Sequence, residues 1–338
     1  DDLDVLLAAQ VRVESGFSPT AVSRAGAQGI AQFMPATWSG SWNPWRAASP
    51  FDPAAQGWAK LEYRRGDVRD RAALEEAFAG ADAVVHLAFI VVGGSKETTR
   101  TINVEGTLNA FRAAAAAGVR RFVYASSVAA YGFHPDNPGL IREDWPTRPA
   151  ARLRYAQEKA ELEALLLAEH AEHPALELYL LRPPVVVGPH TVGGKAVLPG
   201  PLAPLNRYLE GGLRRVPVPL PALLPDLPLQ LVHEDDVGRA LLQCVLGAGP
   251  PGAYNIAGDG VLSALDVARE LGLVPIPLPP RPVQAVARLV ARWGVVPQTG
   301  WAEVLDRPPL MDTTKAKELL GWRPAFTGLE ALRATLDR

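Results

Sequence analysis

From Leu61 onward the chain alternates apolar, strand-like runs with amphipathic, helix-like ones, and this alternation constrains the fold more than any other feature. Leu61–Arg65 reads as a strand and Arg71–Phe78 as a helix. Ala83–Phe89 is a strongly apolar strand. Thr101–Ala117 is a helix stopped by Gly118, a residue type suited to the left-handed turn at a helix end. Arg121–Ser126 is a strand, Arg152–His170 a long amphipathic helix and Leu176–Leu181 a strand. Elements in this order predict an α/β fold with a doubly wound parallel sheet. After Pro183 the pattern loosens. Helices are expected at about 235–246, 263–271, 283–293, 314–320 and 328–336 around short strands, as in a small C-terminal α/β subdomain on the substrate side.

Composition excludes several classes of function. The 338 residues are 48% apolar, enough for one large domain or two smaller ones. A net charge of -2 gives no sign of a nucleic-acid partner or an anionic membrane. No apolar run reaches the ~18 residues of a membrane span. The start, Asp1-Asp-Leu-Asp4, has no signal-peptide pattern. The single cysteine, Cys244, cannot form a disulfide within the chain, and its apolar setting reads as a buried helix position. The six histidines are scattered and give no metal constellation. His86 reads as a core residue, and His170 and His173 as solvated at a helix end.

One short motif carries chemistry. Tyr155 and Lys159 lie four apart in the predicted helix and so share a face, about thirty residues after the pair Ser126-Ser127. A free tyrosine, with a pKa of ~10, is a poor base at neutral pH. A neighbouring ammonium favours the phenolate. Tyr155 is then expected to pass a proton to or from a substrate oxygen while hydride moves at a nicotinamide ring.

An ordered set of motifs surrounds this one: Gly66-Asp-Val-Arg-Asp70, Asp82-Ala-Val-Val-His-Leu-Ala88, Asn103-Val-Glu-Gly-Thr107, Phe122–Gly132, Leu181–Pro189, Val232–Val237 and Leu320-Gly-Trp-Arg-Pro324. From about residue 61 the chain thus resembles the extended short-chain dehydrogenase/reductase family, the NAD-dependent epimerase/dehydratase group. The resemblance implies a Rossmann-like sheet, NAD or NADP as cofactor, and Ser127, Tyr155 and Lys159 as catalytic residues. Ser127 would hydrogen-bond the reacting oxygen. Lys159 would also hold the nicotinamide ribose. By the same carry-over Asp67 and Val68 would meet the adenine, with Ala88, Asn103, Arg182 and Pro183 as further cofactor-binding residues. A small-molecule substrate follows, a sugar nucleotide or another alcohol or ketone. A homodimer through the helices near 101–117 and 152–170 and a cytoplasmic location follow as well. The 4,6-dehydratases of this family carry an acidic pair after the catalytic Ser/Thr. Here Val128 and Ala129 follow Ser127, which disfavours elimination and leaves epimerase or plain oxidoreductase. The nearly uncharged stretch Val216–Leu231 either favours a less polar substrate or packs the subdomain.

The family's opening unit is missing. A Gly-x-x-Gly-x-x-Gly turn would bring backbone amides to the pyrophosphate. The nearest stretch is Gly26-Ala-Gln-Gly-Ile-Ala-Gln32, whose third glycine is Gln32 and which no apolar strand precedes. The sheet is therefore expected to be N-terminally truncated.

What stands there instead is Ala9–Phe17, with Glu14 at its centre, then Ala21-Val-Ser23, Gly26–Trp38 and Phe51-Asp-Pro53. Residues 4–56 resemble the N-terminal part of lysozyme-like lytic transglycosylases, which cleave peptidoglycan. The resemblance implies a short all-α segment with Glu14 as a single acid/base, its pKa raised in an apolar cleft. The expected layout is a helical fragment at 1–58, a truncated Rossmann-like catalytic domain at 59–182 and a substrate-side subdomain at 183–338. A junction near Gln56–Leu61 would join two truncated genes. Three functions stay open: NAD(P)-dependent epimerase/oxidoreductase, lytic transglycosylase using Glu14, or an inactive fusion.

Overall fold

A computed structural model describes residues 66–91, 96–189, 221–279 and 308–336. The strand expected at Leu61–Arg65, the helical fragment expected at 1–58 with Glu14, and the helix expected at 283–293 lie outside the described residues. The chain divides into two compact units. The first comprises residues up to Ala125, Leu162–Leu180 and Leu241–Gly247; the second comprises Ser126–Glu161, Leu181–Ala240 and the residues from Ala248.

In the first unit, helix α1 (Arg71–Phe78) starts where sequence places it, because Asp70 caps it by accepting from Ala73 N at 3.1 Å. Strand β1 (Ala83–His86) follows, with Val84 and His86 buried. It is shorter than the apolar run that announced it, since the chain leaves the sheet after His86. The next helix opens earlier than expected and is not uniform. α2 (Lys96–Arg100) runs through a π turn (Thr101–Glu105) into α3 (Gly106–Ala116). Gly118, at φ 71°, ends it as predicted. Strand β2 (Arg121–Ala125) pairs in parallel with β1, Ala83 opposite Arg121 and His86 opposite Tyr124. Strand β3 (Glu177–Arg182) comes next in the sheet order and runs on into the second unit.

Phe111 and Phe122 are both fully buried and meet edge to face at 5.2 Å. Burial of each such side chain contributes about 1.5–3 kcal/mol. His86 is the core histidine expected, with Nε2 3.0 Å from Thr107 Oγ1. Helix α4 (Arg154–Glu172) begins in the second unit and ends in the first, two residues later at each end than its pattern suggested. Near its end His170 is half-buried, with Nδ1 2.9 Å from Leu176 O, while His173 is exposed.

The second unit opens with a 3-10 turn (Val128–Tyr131). Its short strands pair locally. β4 (Val185–Val187) runs parallel to β7 (Leu231–His233), and β5 (Pro221–Pro225) parallel to β10 (Val274–Leu278). β6 (Pro228–Leu229) lies antiparallel to β9 (Leu262–Ser263). Helix α5 (Glu234–Leu246) begins in this unit and ends in the first, where its Cys244 is fully buried. Burial pushes its thiol up to about 12. Strand β8 (Gly252–Asn255) precedes Ile256, whose N–H donates to Arg182 O at 3.2 Å, so the end of β3 is bordered within the second unit. Helix α6 (Ala264–Glu270) has a capping box, Ser263 with Asp266, each bonding the other's backbone. Helices α7 (Thr314–Leu319) and α8 (Gly328–Leu336) complete the described elements. Ala331 and Leu332 of α8 pack on Val187 and Leu231. Among the described residues no helix is long and apolar enough to cross a membrane.

Candidate active site

The chain leaves β2 through two buried serines. Ser126 N donates to Leu181 O at 2.7 Å, continuing sheet-like pairing for one residue. Ser127, at φ -160° and ψ 151°, is still extended, and its Oγ accepts from Ala129 N at 3.2 Å. That bond makes Ser127 the cap of the 3-10 turn, so the hydroxyl is fixed at the point where strand becomes turn. Gly132 closes the turn at φ 72°. A Cβ there would collide with Arg148 O, so only glycine fits.

Tyr155 enters from the first turn of α4. Its ring packs against the buried cluster of Ala129, Phe133, Ala150, Leu153 and Ala156. Its hydroxyl hydrogen-bonds Ser127. Lys159, one helical turn on, is only 4% exposed, with Nζ 5.9 Å from the Tyr155 ring centroid. The three residues singled out by sequence are therefore together, within one unit.

Their electrostatics differ from expectation. Tyr155 was expected to be acidified by Lys159. Burial of the hydroxyl instead pushes its pKa above the ordinary tyrosine value, and the Ser127 hydrogen bond offsets this only in part. Part of the ring keeps some exposed surface, but the phenolic end is enclosed, and there the phenolate is penalised. Tyr155 is therefore neutral at pH 7, the form that donates a proton.

Behind the serine turn lies a buried polar network that sequence reading missed. Tyr131 is fully buried, and its hydroxyl lies 2.8 Å from Asn255 Oδ1 and 2.6 Å from Arg182 Nη1. Asn255 is also fully buried; its N–H donates to Glu143 Oε1 at 2.9 Å, and its amide donates to Ile141 O and Asp312 O at 2.9 and 3.2 Å. Arg182 Nη1 further reaches Glu143 O at 3.2 Å. Burial raises the Glu143 carboxyl above the usual range, while the Asn255 N–H pulls it down. The available signal was a lone amide inside the apolar run Tyr254-Asn255-Ile256, since a buried amide needs partners.

The other residues implicated by resemblance sit as follows. Asp67 is half-buried, and its carboxylate receives Arg69 N at 2.9 Å and Arg69 Nη2 at 2.6 Å. Val68 is buried against Gly106, where an added Cβ would lie 2.9 Å from Val68 Cβ. Ala88 is buried. Asn103, in the π turn, is fully buried; it accepts from Ile90 N at 2.7 Å and donates to Ile90 O at 3.0 Å, fixing the chain beyond β1. Pro183 O accepts from Val128 N at 2.9 Å. The two C-terminal signatures meet each other. Asp236 accepts from Ala325 N and Phe326 N, and its carbonyl accepts from Trp322 Nε1 at 2.8 Å.

For a dinucleotide, the residues at hand fit one end. A buried lysine beside a tyrosine that is bonded to a serine suits a nicotinamide ribose and a reacting oxygen. No Gly-x-x-Gly-x-x-Gly stretch occurs in the chain to receive the pyrophosphate.

Comparison with known proteins agrees with this arrangement. Residues 41–257 match the model of the NAD dependent epimerase/dehydratase family, and residues 3–54 match that of the transglycosylase SLT domain. An uncharacterized protein of Mycobacterium tuberculosis is 28% identical over 293 residues, 84% of this chain and 73% of its own length. A dTDP-glucose 4,6-dehydratase of Streptomyces niveus is 28% identical over 292 residues, 81% of this chain and 75% of its own. The crystal structure of Thermus thermophilus UDP-glucose 4-epimerase in complex with NAD is similar at a TM-score of 0.57 and 26% identity, covering 82% of this chain and 85% of that one. The expected α/β, Rossmann-like fold is borne out.

Proposed function

The chain belongs to the NAD dependent epimerase/dehydratase family, and we propose that within it the chain is an NAD(P)-dependent epimerase or oxidoreductase acting on a hydroxyl or ketone, of a sugar nucleotide in the first instance. The observation that carries this reading is the Tyr155 hydroxyl bonded to Ser127 with Lys159 buried beside it. The relatives' substrates, UDP-glucose and dTDP-glucose, support the sugar-nucleotide class.

A bound nicotinamide would accept and return a hydride. The chain's own residues manage the oxygen. Ser127 holds it through Oγ, and neutral Tyr155 gives it a proton as a carbonyl becomes an alcohol; the reverse step returns that proton to Tyr155. Lys159 would hold the nicotinamide ribose, with Asp67, Val68, Ala88, Asn103, Arg182 and Pro183 as further cofactor contacts. Val128 is half-buried and Ala129 buried at the two positions after Ser127. Neither can take a carbon-bound proton, so the proposal is redox or epimerisation without elimination. A cytoplasmic location, the layout at 1–58, 59–182 and 183–338, and a homodimer through the helices near 101–117 and 152–170 belong to the same proposal. A monomeric mass in solution would remove the dimer.

The decisive experiment combines binding and turnover. Saturable binding of NADH or NADPH by fluorescence or calorimetry is expected, with conversion of UDP-glucose or a related sugar nucleotide. Tyr155→Phe is expected to lower turnover by about 100-fold or more. Turnover indifferent to Tyr155→Phe would remove this site, and no binding at millimolar cofactor would end the reading. The SLT match favours a second reading, peptidoglycan cleavage by Glu14. It predicts release of anhydro-muropeptides that Glu14→Gln abolishes. A folded chain silent in both assays is an inactive fusion.

A further inference from the structure

The turn that carries Ser127 is tied at both ends to one short stretch, Arg182-Pro183. At its start Val128 N donates to Pro183 O at 2.9 Å. At its end the buried Tyr131 hydroxyl accepts from Arg182 Nη1 at 2.6 Å, and the guanidinium carbon lies 4.7 Å from the Tyr131 ring centroid. That hydroxyl has one proton, for which Asn255 Oδ1 at 2.8 Å is the nearer acceptor and Arg142 O at 3.3 Å the more distant one. Asn255 has no rotational freedom left. Its amide nitrogen serves Ile141 O and Asp312 O, and its backbone N–H serves Glu143. Flipping the amide would turn a donor on the Tyr131 hydroxyl and forfeit the amide's bonds to Asp312 O and to Ile141 O, the latter then keeping only Asp312 N.

From these contacts we infer that Tyr131, Arg182 and Asn255 are positioning residues, which hold Ser127 in place for its hydrogen bond to Tyr155. The inference rests on the proposed function only in taking Ser127 and Tyr155 as the reacting pair. Tyr131 acts from the far end of a four-residue 3-10 turn, which is a short, stiff spacer. A displacement at Tyr131 is passed to Ser127 with little loss. Misplacement of a catalytic group by about 1 Å can reduce rate ~100-fold. The role also gives Arg182 a use for its buried guanidinium.

The test follows Tyr155 itself. Protein labelled with 13C at tyrosine Cζ is titrated with base, and the Tyr155 resonance is assigned by its absence in Tyr155→Phe. The Ser127 hydrogen bond lowers the Tyr155 pKa. Tyr131→Phe is therefore expected to move Tyr155 ionisation to higher pH. With UDP-glucose as substrate it is expected to lower kcat about 10-fold or more with KM changed less than about twofold. Arg182→Lys, the milder change, is expected to move both in the same direction and carries the decision if Tyr131→Phe does not fold. Leu332→Ala, in the separate cluster with Val187 and Leu231, loosens the same unit elsewhere and is expected to leave Tyr155 ionisation unchanged. The inference is overturned if the network variants leave Tyr155 ionisation and kcat as in the parent, or if Leu332→Ala shifts them equally. A shift in Tyr155 ionisation in a chain with no turnover would defeat the enzymatic reading and keep the positioning role. Turnover that requires Tyr155 but ignores Tyr131 would do the reverse.

Discussion

Asp67 in the first unit and Asp236 in the second both come from stretches that carry the family resemblance, and the fold uses them in opposite ways. Asp236 is fully buried. Its carboxylate receives Ala325 N at 2.8 Å, Phe326 N at 3.2 Å and the Arg239 guanidinium, and its carbonyl receives the Trp322 indole. His233, three residues before it, stacks on Phe326 with ring centroids 3.9 Å apart. Asp67 lies at the surface and pairs with Arg69, two residues on, which holds the guanidinium pKa above its ordinary value. A carboxylate enclosed by donors from a distant segment is part of the framework. One that is part-exposed and paired with its near neighbour Arg69 is held less firmly into the framework. Exposure and partner distance separate the two roles, which a motif alone runs together.

The largest effect expected is at the buried site. Asp236→Ala leaves Arg239 and two backbone donors without their acceptor. A loss of about 3–5 kcal/mol in urea unfolding is expected. A loss under about 1 kcal/mol would mean that the 322–326 segment is held without this clamp. Next comes Gly106, which lets α3 approach the Asp67 turn by way of Val68. Gly106→Ala drives a methyl into Val68 and is expected to cost about 1–3 kcal/mol. Val68→Ala makes room, so the double variant should lose less than the sum, with a coupling of about 0.5 kcal/mol or more. Strict additivity would show that the glycine answers to something other than Val68.

Much of this was legible in sequence, and the failures have physical causes. Helix α1 was placed to the residue, because Asp70 announces its cap and Phe78 ends the apolar face before Gly80. Ser127, Tyr155 and Lys159 were found because a helix fixes the relation of positions four apart. The π turn at Thr101–Glu105 was not found; five residues are too few for their side-chain pattern to tell one helical pitch from another. The direction of the Tyr155 shift was missed because proximity to a lysine can be read from spacing, whereas desolvation depends on which distant residues close over the hydroxyl. Tyr131, Glu143 and Asn255, and the part Arg182 plays beside them, escaped for a related reason. They are spread over more than a hundred residues, and only the fold brings their polar atoms within bonding distance.

The smallest effect on stability is expected at Asp67, and there the contrast with Asp236 is sharpest. The Asp67–Arg69 pair is solvent-exposed, so its Coulomb attraction is weakened by water and screened by salt. Asp67→Ala should leave the urea midpoint unchanged, because neighbouring Val68 stays buried and Asp70 still caps α1. The effect should fall on binding instead. If this turn meets the adenosine end of the cofactor, Asp67→Ala weakens NADH about 10- to 150-fold in a calorimetric titration, the range lost with one hydrogen bond to a charged group. Arg69→Ala, which removes the guanidinium from the carboxylate, should not weaken it. A drop in stability comparable to that of Gly106→Ala would place Asp67 in the framework after all. Unchanged NADH affinity in Asp67→Ala would leave the turn as surface, and cofactor recognition would then rest on the tyrosine–lysine end.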